Sequence, residues 1–250
     1  MGNLVVKDNA LIESSHKLNE IEQRLILLAI IKIREQYNSI EQAKNKEITI
    51  HADDYISVFN VERNAAYKAL KQAVVGLYRA EWGYQTINKR GNVEVVYERF
   101  TQNAKYVTAE ATVKFTFSNA IIPLLVELEK NFTSYQIEQV SNLSSRYAMR
   151  LFELLMQHFD KKKSKGWLEI SLDDLRFRFG LNKDEYTRMG NFKDKVLNLS
   201  VTQINENTEY CVSYEQKKQG RIIKGFRFDI KTKTEAKPQK IKERDENTVD

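Results

Sequence analysis

Two stretches of this chain repeat one pattern 120 residues apart, and this repeat limits the possible folds more than any other feature. Residues 48–61 read ITIHADDYISVFNV and residues 168–181 read LEISLDDLRFRFGL. Each copy reads as a short strand followed by an acidic helix start, where the adjacent Asp residues favour the positive end of a helix. Asn60 and Gly180 then tolerate the left-handed turn that ends this helix. The repeat therefore predicts two similar domains.

The elements around each copy also occur in the same order. A longer apolar helix precedes each copy, at Leu18–Ile33 and at Ser145–Phe159. A second amphipathic helix follows, and a β-hairpin closes each copy, over residues 84–97 and 210–230. Helix, strand, helix, turn, helix and hairpin is the order of a winged helix-turn-helix. The predicted fold class is thus α+β, with two tandem winged-helix domains.

The predicted domains cover residues 1–128 and 129–232, and a polar tail covers 233–250. The boundary lies in the bridge between the two copies, where Thr133 and Gln136 have capping-box spacing and predict the start of a helix. Residues 113–117 alternate between apolar and polar side chains, which predicts a strand before the boundary. The tail has alternating charge and is predicted to be disordered.

The composition favours a protein that binds nucleic acid. The chain has 40 Lys and Arg residues against 34 Asp and Glu residues, for a net charge of +6. Between residues 131 and 230 there are 17 basic and 13 acidic residues, so a polyanion site is expected in the second domain. Cys211 is the single cysteine, which excludes an intramolecular disulfide and fits a cytoplasmic protein. No apolar run reaches the roughly 18 residues of a membrane span, so no membrane partner is expected.

The motifs of enzymes and metal sites are missing from the sequence. The three histidines are far apart, and no phosphate-binding loop or nucleophile elbow occurs. Cys211 lies in an alternating strand pattern, where a structural role is favoured over a nucleophile. We therefore expect no catalytic residues, no metal and no cofactor.

The second domain carries the main candidates for DNA binding. A helix-turn-helix places its second helix in the major groove, and here that helix is predicted at Asn191–Asn205. If Phe192, Val196 and Leu199 face the core, then Asp194 and Leu197 lie outward. Arg, Asn and Lys side chains match the edges of bases, and the candidates on this helix and its approach are Lys183, Arg188, Asn191, Lys193, Lys195 and Asn198. An ordinary solvated face is the alternative for each of them.

Two further groups of cations in this domain are candidates for the DNA backbone. Arg176 and Arg178, on the first helix of the motif, are predicted to lie over the DNA backbone. The alternative is that both are ordinary surface arginines. Lys217, Lys218 and Arg221 gather at the hairpin tip, where a phosphate or the minor groove is expected. A tip that only improves solubility is the alternative.

The first domain is nearly neutral and is predicted to serve mainly in self-association. Its opening helix carries an apolar stripe of Leu18, Ile21, Leu25 and Leu28 with more Leu and Ile residues beside it. One face fills the domain core, and the remainder favours contact with the other domain or another subunit. Burial inside its own domain is the alternative. Auxiliary DNA contacts are expected from Lys68, Lys71, Lys89 and Arg90.

Three stretches of the sequence resemble the iteron-binding plasmid replication initiators of the RepE and pi type. SSRYAMRLFELL at residues 144–155 is similar to a helix signature of that family. GRIIKGFRF at residues 220–228 resembles its closing strand, and residues 9–34, with LNEIEQR at 18–24, resemble its opening helix. The likeness covers roughly residues 5–230.

The resemblance implies a function as well as a fold. Such initiators bind direct repeats (iterons) of double-stranded DNA at a plasmid origin as monomers, help to melt adjacent DNA, and recruit the host replication initiator and replicative helicase. Many also form dimers through the first domain and repress their own promoter at an inverted repeat. The family's main base-reading helix corresponds to Asn191–Asn205, with Arg188, Lys193 and Lys195 as its basic positions. A transcriptional regulator without a replication role is the alternative, and an enzyme that cuts or primes DNA is a third hypothesis.

Overall fold

The structure is a computed structural model that describes residues 2–233. The predicted disorder of the tail falls on residues 234–250, which lie outside the described residues. The first half of the chain contains β1 (Leu4–Asp8), α1 (Asn9–Glu13), β2 (Ser15–His16), α2 (Glu20–Gln36), α3 (Ile40–Ala43), β3 (Glu47–His51), α4 (Ala52–Phe59), α5 (Arg63–Arg79), β4 (Glu81–Ile87), β5 (Val93–Arg99), β6 (Thr101–Val107) and β7 (Thr112–Phe117).

The second half contains β8 (Phe132–Gln136), α6 (Glu138–Ser141), α7 (Arg146–Met156), β9 (Phe159–Asp160), β10 (Lys165–Ser171), α8 (Leu172–Arg178), α9 (Met189–Phe192), α10 (Leu199–Asn207), β11 (Tyr210–Gln219) and β12 (Ile222–Thr232). A π-helical segment, Lys193–Asn198, joins α9 to α10. These helices and sheets form two winged-helix domains, as the repeat predicted.

The repeated stretches form the predicted strand and helix in both domains. β3 leads into α4, which begins with Asp53 and Asp54, and β10 leads into α8. The hydroxyl of Ser171 accepts a hydrogen bond from the backbone N–H of Asp174 at 3.1 Å and so caps α8. Asn60 (φ 49°) and Gly180 (φ 64°) adopt the left-handed conformation after their helices. The predicted helix starts and ends are confirmed.

Strand pairing shows which hairpin of the first domain corresponds to the wing of the second. β10 pairs with β12, and β12 with β11; in the first domain β3 pairs with β7, and β7 with β6. The counterpart of the β11–β12 wing is therefore β6–β7. Residues 84–97, interpreted from the sequence as that hairpin, form β4 and β5 in a separate sheet with β2. That interpretation was wrong because the buried Ile48 and Ile50 of β3 select the apolar residues of β7 as partners.

The bridge between the repeats forms a strand where a helix start was predicted. Thr133 and Gln136 lie in β8, which pairs antiparallel with β1. Thr133 and Tyr135 are buried while Phe132 and Gln136 are exposed, so the alternation of a half-buried strand outweighs the local capping-box signal. This pairing links residues on both sides of the predicted boundary at 128/129, which itself stays a prediction.

A buried polar cluster joins the N-terminal strand to α7. The ammonium of Lys7 lies 2.5 Å from Glu153, and Tyr135 donates a hydrogen bond to the same carboxylate at 2.5 Å. The guanidinium of Arg150 lies 3.3 Å from Glu153 and donates hydrogen bonds to the carbonyls of Ile12 and Ser14 at 2.7 Å. Burial lowers the pKa of Lys7 and raises that of Tyr135 well above its ordinary value.

The same cluster reaches the helix-turn-helix of the second domain. Arg150 also donates to the carbonyl of Arg178 at the end of α8, at 3.0 Å. One side chain thus holds the segment around α1 and the end of α8 together, and it fixes the orientation of the second domain against the N-terminal residues. Sequence reasoning missed this cluster, although Arg150 and Glu153, three residues apart on an otherwise apolar helix, were its signal.

Candidate DNA-binding surface

The turn of the second domain's helix-turn-helix is built around Arg176. Its guanidinium donates hydrogen bonds to the carbonyls of Glu185 at 2.6 Å and Asn182 at 2.8 Å. It also lies 5.6 Å from the centre of the Phe192 ring. Because these contacts use the donors of Arg176 inside the turn, the side chain shapes the approach to the next helix. Contact of Arg176 with the DNA backbone stays a prediction.

Arg178 lies where the helix-turn-helix meets the N-terminal segment. Its side chain is half-buried, and its guanidinium lies 3.8 Å from the carboxylate of Glu13 at the end of α1. The residue therefore faces the N-terminal segment, where it takes part in the contact that Arg150 organises. Contact of Arg178 with the DNA backbone stays a prediction.

The second helix of the motif runs from Met189 to Asn207, and the π-helical segment changes which residues it buries. Phe192 and Val196 are buried as predicted, but Leu197 is fully buried and Leu199 is 41% exposed. The predicted positions of Leu197 and Leu199 were therefore wrong. A π turn contains one residue more than an α turn, so the face that contacts the core shifts past this point.

Most of the predicted base-reading residues are exposed on this helix and its approach. Lys193 is half-buried, and the exposed set is Lys183, Arg188, Asn191, Lys195 and Asn198. The amide of Asn198 is already engaged, since it accepts a hydrogen bond from Tyr214 at 2.6 Å and donates one to Asp194 at 3.0 Å. Asn198 therefore ties the helix to β11, and the other residues keep their polar ends toward solvent.

The wing of the second domain presents fewer unpaired cations than its sequence suggests. Lys218 and Arg221 are exposed, and no ion pair involves them within residues 2–233. Lys217 lies 2.9 Å from Glu215 and 3.8 Å from Glu169. The hydrogen bond to Glu215 raises the pKa of Lys217. Its charge is thus balanced by carboxylates, while Lys218 and Arg221 remain available to phosphates.

The cations of the first domain lie on two different elements. Lys68 and Lys71 are exposed on α5, the second helix of this domain's helix-turn-helix. Lys89 and Arg90 are exposed at the tip of the β4–β5 hairpin, which is not the counterpart of the wing. The structure therefore places Lys68 and Lys71 on one helix, and it places Lys89 and Arg90 on a different element, the β4–β5 turn.

The apolar stripe predicted for self-association is covered within the chain. Leu18, Leu25 and Leu28 are 3%, 0% and 0% exposed, and Ile21 is partly buried against the core. The sequence allowed such burial either against the other domain or inside the stripe's own domain. In the described conformation Leu18, Leu25 and Leu28 expose almost no apolar surface, and dimerisation through this stripe stays a prediction.

Other exposed apolar side chains of the first domain lie on β5. Val93, Val95 and Tyr97 are 66%, 44% and 66% exposed. β5 is an edge strand, because the sheet order is β2-β4-β5. Sequence reasoning missed this surface, although the alternation VEVVYER was its signal.

Metal-binding clusters and membrane-spanning helices are both absent from the described part of the chain. Residues 2–233 hold no group of three or more His, Cys, Asp or Glu side chains arranged to bind a metal ion. Among the same residues, no helix is long and apolar enough to cross a bilayer.

Comparisons with known proteins match both domains. Residues 4–156 match the family described as Initiator Replication protein, WH1, and residues 171–230 match Initiator Rep protein, WH2. A replication initiation protein of Escherichia coli is 32% identical over 197 residues, which cover 76% of this chain and 59% of that relative. The chain thus spans about three-fifths of the length of this curated relative.

Two further similarities extend over more of the chain. The PI protein of Escherichia coli is 25% identical over 250 residues, covering 85% of this chain and 80% of that protein. A solved structure, described as the Pi initiator protein in complex with iteron DNA, has a TM-score of 0.75 at 21% identity. The match covers 92% of this chain and 98% of the chain in the solved structure. At 21% identity the similarity concerns the fold alone.

Proposed function

The chain belongs to the family of initiator replication proteins with WH1 and WH2 domains, and from this premise we propose that it starts plasmid replication by binding iterons at the origin. The observation that carries the proposal is the exposed set of Lys183, Arg188, Asn191 and Lys195 along one helix-turn-helix. The solved structure to which this chain is similar in fold is described as a complex with iteron DNA. The recognition helix would enter the major groove and the wing would contact the neighbouring backbone.

The electrostatics of the second domain support duplex binding with a steep salt dependence. Lys183, Arg188, Lys195, Lys218 and Arg221 are exposed cations on the helix-turn-helix and wing. If each neutralises one phosphate, the logarithm of the binding constant falls with the logarithm of salt concentration with a slope of about −4.5. Lys68 and Lys71 of α5 would add auxiliary contacts from the first domain.

Self-association is the second part of the proposal. We assign it to the edge strand β5, because Val93, Val95 and Tyr97 are exposed there while the predicted leucine stripe is buried. An unpaired edge strand with apolar side chains is a template for pairing with another chain. A dimer formed in this way would present two copies of the second domain to an inverted repeat, which fits repression of the protein's own promoter.

The proposal extends to melting of adjacent DNA and to recruitment of the host replication initiator and replicative helicase. The family resemblance supports these steps. We propose that these steps need no cofactor or metal bound to this protein. We also propose that the protein is located in the cytoplasm.

The experiment is fluorescence anisotropy with duplex from the region upstream of the gene and with a scrambled duplex, across a salt series. Selective binding with a steep salt slope supports an initiator or a regulator. Deletion of the gene from its replicon separates these two, since loss of plasmid replication is expected only for an initiator. Equal, weak binding to both duplexes would contradict the proposal.

The same assay tests the assignment of the recognition helix. Arg188→Ala and Lys195→Ala should reduce binding to the selected duplex more than binding to scrambled duplex, since base contacts carry about 1–3 kcal/mol of discrimination each. Lys44→Ala, at the end of α3 where Lys44 forms an ion pair with Glu41, is the matched control. Equal losses on both duplexes would show that these residues only contact phosphates.

A further inference from the structure

The tip of the β11–β12 wing carries an exposed isoleucine. Gln219 pairs with Ile222 across a turn of two residues, Gly220 and Arg221. Gly220 has φ +60°, and no other atom lies within 4 Å of the position of a Cβ there, so the turn projects into solvent. Ile222 is 63% exposed. An exposed apolar side chain thus lies directly next to the turn of the wing.

A β-bulge directs this side chain outward. Lys217 pairs with Gly225, but the next residue, Lys218, pairs with Ile223, so Lys224 has no partner on β11. Farther along β12 the buried side chains alternate at Phe226, Phe228 and Ile230. Unbroken alternation would place Ile222 on this inner side.

The extra residue reverses the two faces near the tip. Ile223 packs against the core, and Ile222 lies on the solvent side. Bulges that re-aim a side chain are common next to functional sites. The bulge therefore determines which of the two adjacent isoleucines faces solvent, and it leaves Ile223 partly buried against the core.

The surroundings of Ile222 match an anionic partner with an apolar cleft. Arg221 and Lys224, which lie one residue before and two residues after Ile222, are exposed, and Lys218, opposite Ile223, is exposed on the other strand of the tip. None of these three cations takes part in an ion pair within the part of the chain that the structure describes. An apolar side chain at a hairpin tip that also carries exposed cations fits the minor groove of duplex DNA, whose walls are sugars and whose rims are phosphates.

The wing and the recognition helix are held as one unit. Tyr214 of β11 donates a hydrogen bond to Asn198 at 2.6 Å. The Phe192 and Phe226 rings lie 6.1 Å apart and tie the same helix to β12. With the helix in the major groove, the wing tip therefore reaches the duplex at a fixed offset rather than as a loose arm.

We propose that Ile222 inserts into the minor groove beside the recognition helix and bends the duplex there. This inference rests on the proposed DNA-binding function and names a residue that determines the shape of the bound DNA. Apolar wedges in the minor groove partly unstack a base step and bend DNA toward the major groove. Sequences with flexible steps at the contact would then be favoured without any hydrogen bond to their bases.

The test compares Ile222→Val with Ile222→Thr. Both substitutes are β-branched and favourable in strands, and they have the same shape, so only the apolar character of the tip differs. A short duplex is first selected from a random pool with the wild-type protein, and its two ends are labelled for energy transfer. The transfer efficiency reports the bend, anisotropy reports affinity, and circular dichroism confirms that both variants are folded.

Ile222→Val should keep the bend and lose at most about fourfold in affinity, the value of one methylene group. Ile222→Thr should reduce the bend and lose about tenfold or more in affinity, because a hydroxyl is buried without a partner. Both should keep the salt slope of the wild type, since no charge changes.

Equal bends and affinities for the Val and Thr variants would overturn the role of Ile222. A wild-type protein that selects no duplex and binds without salt dependence would instead overturn the proposed function itself. The two failures are therefore distinguishable. A straight duplex in the wild-type complex would overturn the wedge while leaving duplex binding intact.

Discussion

The ammonium of Lys7 lies 2.5 Å from the carboxylate of Glu153, 146 residues away along the chain, and both side chains are nearly inaccessible to solvent. Burial by itself would raise the pKa of Glu153. The nearby charges of Lys7 and Arg150 and the hydrogen bonds from Lys7 and Tyr135 outweigh burial, so this pKa lies below its ordinary value. The N-terminal strand is therefore held to α7 by an ionised carboxylate.

Glu153→Gln should destabilise the protein by about 3–5 kcal/mol, because it leaves two buried cations without their counter-charge. Denaturant unfolding measures this loss. Glu41→Gln, in an exposed ion pair with Lys44, is the matched control and should change stability by less than about 0.5 kcal/mol. A small effect at Glu153 would mean that hydrogen bonds, and not charge, hold the cluster.

The same carboxylate predicts how stability depends on pH. Because the pKa of Glu153 is lower in the folded than in the unfolded protein, its stabilisation is present above the unfolded value of about 4.3 and is lost as pH falls through the folded value. The wild-type protein should thus lose more stability on acidification across this range than Glu153→Gln does. Parallel pH profiles for the two proteins would contradict this assignment.

Gly180 sits where the helix-turn-helix of the second domain meets β2. Its φ is +64°, and a Cβ there would lie 2.3 Å from the carbonyl oxygen of His16. Gly180→Ala should cost about 1–3 kcal/mol in backbone strain and should also push the two segments apart. Denaturant unfolding and DNA affinity measure the two effects.

Gly190→Ala is the control for that substitution. Gly190 lies in the same motif, has no other atom within 4 Å of its Cβ position, and stands at the start of the recognition helix. Alanine favours a helix over glycine, so stability should be unchanged or slightly higher. Similar losses of stability at Gly180 and Gly190 would show that neither the positive φ of Gly180 nor its close approach to His16 limits the substitution.

The sequence predicted local features better than it predicted partners across the fold. Helix starts and ends were predictable because the Asp pairs, Ser171, Asn60 and Gly180 act within one turn of the chain. The pairing of β3 with β7 was not predictable, since the β4–β5 hairpin comes first along the chain and its residues also alternate between apolar and polar side chains. Nor was β8, whose pairing with β1 links residues more than a hundred positions apart.

The candidate site shows the same division. The sequence identified the recognition helix and wing from charge and element order. It could not show that Arg176 is used inside the turn or that Lys217 is balanced by Glu169, because these contacts depend on where other elements bring their carbonyls and carboxylates. The π-helical segment was equally out of reach, since periodicity analysis assumes one helical period throughout.

The unpaired charge of Lys218 predicts a measurable share of the salt dependence. Lys218→Ala should make the salt slope of duplex binding shallower by about 0.9, the value for one phosphate contact. Lys162→Ala removes the same charge from the turn after β9, at the opposite end of the same sheet. Its slope should equal that of the wild type, and equal changes in both variants would show that only net charge matters.

Self-association through β5 is tested by placing a charge on the exposed edge. Val95→Lys should shift the protein toward monomer in sedimentation equilibrium, because an ammonium at the middle of the strand opposes pairing with a second copy. Val75→Lys, at a residue 53% exposed on α5, adds the same charge to another apolar position of the first domain and should leave the equilibrium unchanged. If both variants dissociate alike, general charge repulsion accounts for the effect. If neither does, the dimer uses another surface, and the buried Leu18–Leu28 stripe would require a change of conformation to provide it.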